Sequence, residues 1–192
     1  MNTNKEEPLT AEHVRELLTY IPESGLLIWN ARPIEYFKTK REFLRWNTRY
    51  CNKVAGTLKL TGYIHVKIKH GSKNKRKSYM AHRVIWLFVT GSWPPKGFEI
   101  DHIDGCRSNN RFKNLRLVTR SENQQNRKSM KNTTSKYTGV YWYSKNKKWI
   151  ARIIINRKYI HLGQFDYENE ANASYLAAKK VFHPSAPAHH YY

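Results

Sequence analysis

Asp101 and His102 stand side by side, Asn114 follows His102 by twelve residues, and Asn123 comes nine later. The Asp101 carboxylate and the Asn123 carboxamide are hard oxygen donors of the kind that hold small divalent cations. The imidazole beside them has an unperturbed pKa of ~6.5, which suits it to take a proton near neutral pH. The surroundings sharpen the pattern. The 192 residues hold 35 Lys and Arg against 14 Asp and Glu, a formal charge of +21. Between Phe43 and Phe165 the only acids are Glu99, Asp101, Asp104 and Glu122, all within the stretch 99–127. So basic a chain, with 14% aromatic residues, reads as a folded polyanion binder rather than a disordered tail. Nucleic acid is the leading partner, because Lys and Arg that neutralise phosphates release condensed counterions.

The elements that must position this set are readable in part. "FEIDHI" alternates as a strand and "LRLV" as a second, with the turn-rich "DGCRSNNRFKN" between them. Thr119 and Glu122 have capping-box spacing, so a helix should start there and carry Asn123 near its first turn. Upstream, Thr10 caps a short helix through Tyr20, and "ESG" turns into a strand "LLIW". Residues 31–53 are basic and irregular and receive no assignment. Ile64, Val66 and Ile68 alternate with His65, Lys67 and Lys69, giving one arm of a hairpin that turns at 71–74. "AHRVIWLFVTG" is an apolar helix ending at Gly91, in which His82 reads as structural. Asp104 with Gly105 reads as turn chemistry. After a polar linker come three short strands, "YTGVYWY", "KWIARIII" and "KYIHLGQF", and a helix from about Tyr167 to Phe182. Asp166 is the expected cap, and Ala171, Ala173, Ala177 and Ala178 the residues that let the helix approach the sheet.

Other classes are disfavoured. No apolar run approaches the ~20 residues that span a bilayer, so no membrane partner is expected. The N-terminus lacks the apolar core of a signal peptide. Cys51 and Cys106 are too few for a disulfide framework or a thiolate zinc site and read as free thiols in a reducing cytoplasm.

The Asp-His, loop Asn and helix Asn at this spacing resemble the HNH nuclease family and its ββα-metal motif, over roughly 80–127. "AHRVIWLFVTGSWPPKGFEIDHIDG" is similar to the lead-in of phage and homing members, in the branch with Asn at the helix position. The resemblance implies an endonuclease that hydrolyses double-stranded DNA to a 5′-phosphate and a 3′-hydroxyl. By it, His102 is the general base and Asn114 accepts from its far nitrogen. Asp101 and Asn123 hold one Mg²⁺ or Mn²⁺ per site, and Arg120 neutralises phosphate. The scarce acids then lie where they do because a divalent cation must be held there. A phage-encoded chain of this kind would act in the cytoplasm of its bacterial host.

The segment 136–183 resembles the DNA-binding domain of the APETALA-two or ethylene-response-factor class. The residues that carry this are "GV" in the first strand, Trp149 and Ala151 in the second, "HLGQFD" closing the third, and the Ala-rich helix. That class reads the major groove with its sheet. Carried across, Tyr141, Tyr143, Arg152, Ile154, Tyr159 and His161 line the reading face, and Lys145, Lys147 and Lys148 meet phosphates. Several positions that are Arg in the plant proteins are Tyr, Ile or His here, which leaves Arg152 as the candidate for bidentate base contact. Trp149 is expected to face the helix with Ala151 and Ile153.

The expected architecture is α+β. A ββα-metal catalytic unit with an N-terminal β-hairpin and helix elaboration is joined to a small three-stranded antiparallel sheet packed on one helix. The expected boundaries are 1–78 for the bracing N-terminal region, 79–127 for the nuclease domain and 128–136 for a linker. The DNA-binding domain follows at 137–183 and a tail at 184–192. The rival reading is a non-catalytic, sequence-specific DNA-binding regulator, though a pure binder has no need of the full Asp101, His102, Asn114 and Asn123 set. RNA cleavage is weaker, since the deep narrow RNA major groove excludes a sheet reader. Whether the chain is a monomer or homodimer, and so whether it nicks or cuts both strands, is not legible in the sequence.

Overall fold

The computed structural model describes residues 9–70, 75–125, 134–155 and 158–184. The chain is mixed α and β with small antiparallel sheets, and it divides into two compact units, 1–118 and 119–192. In the first unit, Thr10 Oγ accepts from the His13 N–H and starts α1 (Ala11–Leu17). The helix stops short of the expected Tyr20. Leu18–Ile21 leaves it directly as β1 and pairs antiparallel with β2 (Leu26–Trp29), so cross-strand bonding overrides the helical pattern of the sequence. The unassigned stretch 31–53 contains a helix, α2 (Lys40–Tyr50). Next come β3 (Thr57–Leu58), β4 (Ile64–His70) and β5 (Lys75–Met80), a three-stranded sheet in that order. The expected turn at 71–74 lies outside the described residues. Val66 and Ile68 are fully buried, as their alternation requires.

The apolar α3 (Ala81–Thr90) ends at Gly91 in the left-handed conformation, φ 80°. It brings Val84, Ile85 and Leu87 into one core with Val14 and Leu17 of α1, Leu27 of β2, Ile100 and Leu115. β6 (Phe98–His102) and β7 (Leu115–Thr119) form a two-stranded sheet, and α4 (Arg120–Gln125) follows β7 without a break. The N-terminal hairpin and the 98–118 segment thus share a single core.

In the second unit, β8 (Val140–Tyr143), β9 (Lys148–Ile155) and β10 (Lys158–Phe165) form an antiparallel sheet with β9 in the middle. α5 (Glu168–Phe182) covers one face, and Val140, Ala151, Ile153, Ala171 and Tyr175 make the core. Of the four alanines expected at this contact, Ala171 is buried and Ala178 packs against the core, whereas Ala173 and Ala177 are exposed. Tyr175 takes the central place, and it fits because Gly139 has no side chain. A Cβ on Gly139, φ 76°, would lie 2.3 Å from the Tyr175 ring. Asp166 does not cap α5. Tyr167 is the N-cap, its N–H donating to Glu170 Oε2, and Asp166 pairs with Lys148.

Candidate active site

His102 ends β6 and is 4% exposed. Its Nε2 lies 3.0 Å from Oδ1 of Asn110, itself 1% exposed. An amide oxygen only accepts, so Nε2 carries the proton and Nδ1 is left as the basic nitrogen of the neutral ring. The amide bonded to the His102 ring is therefore Asn110, not the expected Asn114.

Asn114 is committed to the loop. Its Oδ1 accepts from the Asp104 N–H at 3.1 Å, and its Nδ2 donates to Asp104 Oδ1 and to the Asn109 carbonyl at 2.9 and 2.8 Å. The Asp104 carboxylate also accepts from the Cys106 N–H and from Asn109 Nδ2. Burial works to raise its pKa, but the hydrogen bonds from Asn109, Asn114 and Cys106 outweigh that and lower it. The backbone closes the same loop, with Ile103 N–H donating to the Asn114 carbonyl. Loop residues with local acceptors and donors thus satisfy one another and fix the return path to β7.

The N-terminal hairpin grips this loop from outside. Tyr20 Oη accepts from the Phe112 N–H at 2.7 Å and donates to the Asn110 carbonyl at 3.2 Å. Arg111 Nε donates to the Glu23 carbonyl. A Cβ on Gly25, φ 75°, would stand 2.5 Å from the Arg111 nitrogen, so only glycine lets the β1–β2 turn press this close. Asn110 is thus set by residues some ninety positions upstream.

Asp101 is 8% exposed and is held by Arg116 of the neighbouring strand. Arg116 Nε and Nη2 both donate to Oδ2, at 3.1 and 2.9 Å, a charge-assisted pairing that fixes the direction of the carboxyl. The buried His82 ring meets His102 edge-on, with centroids 4.9 Å apart. Tyr63 packs on both imidazoles, and Arg107 covers Tyr63 at 5.0 Å while donating to the Thr61 carbonyl. Burial first, then the neighbouring His102, Arg83 and His65, lowers the His82 pKa to about 3, so His82 stays neutral. Sequence reasoning missed Asn110, Arg116, Tyr63 and the hairpin contacts, and it read His82 as structural without placing it against His102.

Arg120 and Asn123 stand in the first turns of α4, in the second unit. The predicted capping box is present: Glu122 N–H donates to Thr119 Oγ1, and Glu122 Oε2 accepts from Thr119 N–H and Oγ1. Among the described residues no group of three or more His, Cys, Asp and Glu could hold a metal ion. What the first unit offers is the buried Asp101 carboxylate. A hard oxygen donor of this kind fits Mg²⁺, which binds through few protein ligands, and does not fit zinc, which favours thiolate and imidazole sets.

On the sheet of the second unit, Arg152 lies between the rings of Tyr141 and Tyr159, at 4.7 and 4.5 Å. Ile154, Tyr159 and His161 are exposed beside it, as is Tyr143. Cross-strand register places Ile154 opposite Tyr159 and Arg152 opposite His161, so the four share one face. Trp149 turns to the helix side and packs against the core there. Lys145 and Lys147 are exposed on the β8–β9 turn, whereas Lys148 is tied to Asp166.

Residues 79–125 match a family model described as HNH endonuclease. Over 89 residues, 45% of this chain, the sequence is 38% identical to Protein 3.8 of Escherichia phage T7 and covers 73% of that protein. A solved structure titled for DNA binding and cleavage by the HNH homing endonuclease I-HmuI is similar at 22% identity with a TM-score of 0.38. That similarity covers 57% of this chain and half the length of the other. The chain therefore belongs to the family of Protein 3.8 and carries an HNH endonuclease domain at residues 79–125.

Proposed function

We propose that the protein is a metal-dependent endonuclease of double-stranded DNA, in which His102 is the general base and the C-terminal sheet selects the site. The observation that carries this is the Nε2–Oδ1 bond between His102 and the buried Asn110, inside the matched segment and next to the Arg116-held Asp101. With its proton fixed on Nε2, the ring takes a proton at Nδ1 from the attacking water. The water oxygen bonds to phosphorus in line with the 3′ oxygen, and the P–O3′ bond breaks, the leaving 3′ oxygen taking a proton from solvent water, to give a 5′-phosphate and a 3′-hydroxyl. Asp101 is the ligand for Mg²⁺ or Mn²⁺, with Asn123 the second ligand expected from the family pattern. When bound, such an ion stabilises charge on the phosphoryl oxygens and on the leaving oxygen. Arg120 is the candidate for neutralising the scissile phosphate. Asn114 supports the site by holding the loop shut. Arg152, between Tyr141 and Tyr159, is the base-reading side chain, and Tyr143, Ile154 and His161 flank it. Lys145 and Lys147 meet the backbone, and Lys148 contributes less because Asp166 already neutralises it.

The test is supercoiled plasmid incubated with Mg²⁺, with Mn²⁺ and with EDTA, alongside His102→Ala. Nicking or linearisation that needs the ion and disappears in the variant supports the reading. Cleavage that persists in the variant removes His102 from its role. Salt-sensitive binding without cleavage, on plasmid and on DNA from the natural genome alike, would instead establish the regulator.

A further inference from the structure

The α2 helix has no part in the site above, yet its two faces are sharply divided. Its inner side is built for rigidity. Phe43, Trp46 and Asn47 are half-buried, and Trp46 packs on Trp29, Phe37 and Tyr50 with ring centroids 5.4–6.1 Å apart. The Arg32 guanidinium lies 4.1 Å from the Trp46 ring centre, and the Asn47 carboxamide both accepts from the Arg32 N–H and donates to its carbonyl. At the start of the helix, Thr39 Oγ1 accepts from the Glu42 N–H and Glu42 Oε2 accepts from the Lys38 N–H, so the one acid of the helix is spent on the cap.

The outer side carries Lys40, Arg41, Arg45 and Arg49, all exposed. Among the described residues none of them is ion-paired. Arg41, Arg45 and Arg49 follow one another at i, i+4 and i+8, the spacing at which like charges repel and destabilise a helix. Glu or Gln at any of these positions would serve the isolated helix better. A stripe that weakens its own helix, on a base locked by aromatic packing, is explained by an anionic partner that lies along it. The eight steps of the helix from Arg41 to Arg49 span ~12 Å at 1.5 Å each. Over that axial length one strand of duplex DNA presents three or four phosphates at ~3.4 Å spacing.

We propose that the outer face of α2 is a second DNA-contacting surface, which grips the phosphate backbone of the duplex independently of sequence. It rests on the reading of duplex DNA as the substrate. In this arrangement the first unit holds DNA for itself while the C-terminal sheet selects the sequence, so a mismatched site loses discrimination before it loses attachment.

The experiment is fluorescence anisotropy of the full chain on a short labelled duplex in EDTA, repeated across a series of salt concentrations. The variants are Arg41→Gln/Arg45→Gln/Arg49→Gln and, as a control of equal charge change, Lys59→Gln/Lys96→Gln/Lys180→Gln. Removing three phosphate contacts should make the salt dependence shallower by about 2 to 3 in log K against log salt. The loss should be equal for specific and unrelated duplexes, with a thermal midpoint unchanged or raised. The control triple should change the slope by less than a third as much. An unchanged slope in the stripe variant, or an equal loss in the control, would overturn the proposal. So would loss of binding only to anionic phospholipid vesicles, which would identify a membrane as the partner. Because no metal is present, a chain that binds but never cuts still passes this test, and a nuclease indifferent to its stripe fails it. The two readings therefore fail separately.

Discussion

In the proposed mechanism, replacing Asn110 by Asp exchanges its Nδ2 for an oxygen and puts a charge beside Nε2 of the base, His102. The amide oxygen sits 3.0 Å from His102 Nε2, and both residues are more than nine-tenths buried. A carboxylate and an imidazolium about 4 Å apart attract by about 4 kcal/mol at an effective dielectric of ~20. Burying the new charge takes back part of that, and a net of about 2–3 kcal/mol corresponds to roughly two pH units. The sign follows from the chemistry. The base works neutral, so a raised pKa moves the acid limb of the cleavage profile upward. Activity near neutrality then falls about tenfold for every pH unit the limb moves. Asn110→Ala acts differently. It leaves the Nε2 proton without a partner and releases the tautomer, so the rate should fall about 10–100-fold at every pH while the limb stays in place. The assay is single-turnover cleavage of a labelled duplex across the neutral range at saturating protein, with DNA affinity measured separately. An Asp variant whose acid limb has not moved, or an Ala variant with the full rate, would refute the argument that Asn110 fixes the base.

Three other expectations follow from the same geometry. His82 has its pKa lowered to about 3, so the unfolded chain binds one more proton than the native one between about 3 and ~6.5. Stability should therefore fall with acidification below ~6.5 by up to about 1.4 kcal/mol per pH unit from this group, and His82→Phe should flatten the slope in urea titrations. Gly139→Ala forces a methyl into the Tyr175 ring and should unfold the C-terminal sheet, seen as loss of its cooperative melt and of sequence preference while plasmid nicking survives. Arg152→Ala should relax or shift site preference, whereas Lys147→Ala should mainly flatten the salt dependence; equal losses on every sequence would remove the sheet from the reading role.

The parts of the site that were legible are those fixed by neighbours in sequence. The strand, loop, strand and helix around 98–125 announce themselves through alternation, turn formers and the Thr119–Glu122 cap, each acting over a few residues. Asn110 could not be singled out this way. Asn109, Asn110 and Asn114 are the same residue type in one turn-rich loop, and the difference between them is tertiary. Tyr20 and Gly25 press the chain so that Asn110 is driven under His102, while Asn114 is drawn to Asp104. Arg116 was hidden because its partner is across a strand pair rather than along the chain. The α2 helix carried a readable signal in Phe43, Trp46, Asn47 and Tyr50, which recur at helical spacing behind a Thr39 cap; the density of charge on its other face masked it. α1 was read too long for the opposite reason. Leu18 continues its apolar periodicity, but β2 offers the segment a full set of backbone partners.

These contacts tie β1 and the β1–β2 turn to the loop that holds Asn110, although the matched HNH segment begins at residue 79. The consequence can be isolated with a single oxygen. Tyr20→Phe keeps the ring, which is 8% exposed and packs near Phe88, and removes only the hydroxyl. The Phe112 N–H and the Asn110 carbonyl then lose a common partner, and leaving such groups unpaired costs about 1–3 kcal/mol. The destabilisation should be modest in urea titrations. The loss of kcat should exceed what that destabilisation accounts for, because the freed loop no longer holds Asn110 against the base. KM and metal-free DNA affinity should stay as they were, since Tyr20 is buried and, among the described residues, its hydroxyl is bonded only to the loop. If Tyr20→Phe lowers stability but leaves kcat intact, the hairpin only braces the fold. If kcat falls in a chain that still folds and binds, the orientation of the base is set from the other end of the unit, and residues 79–125 alone are an incomplete active site.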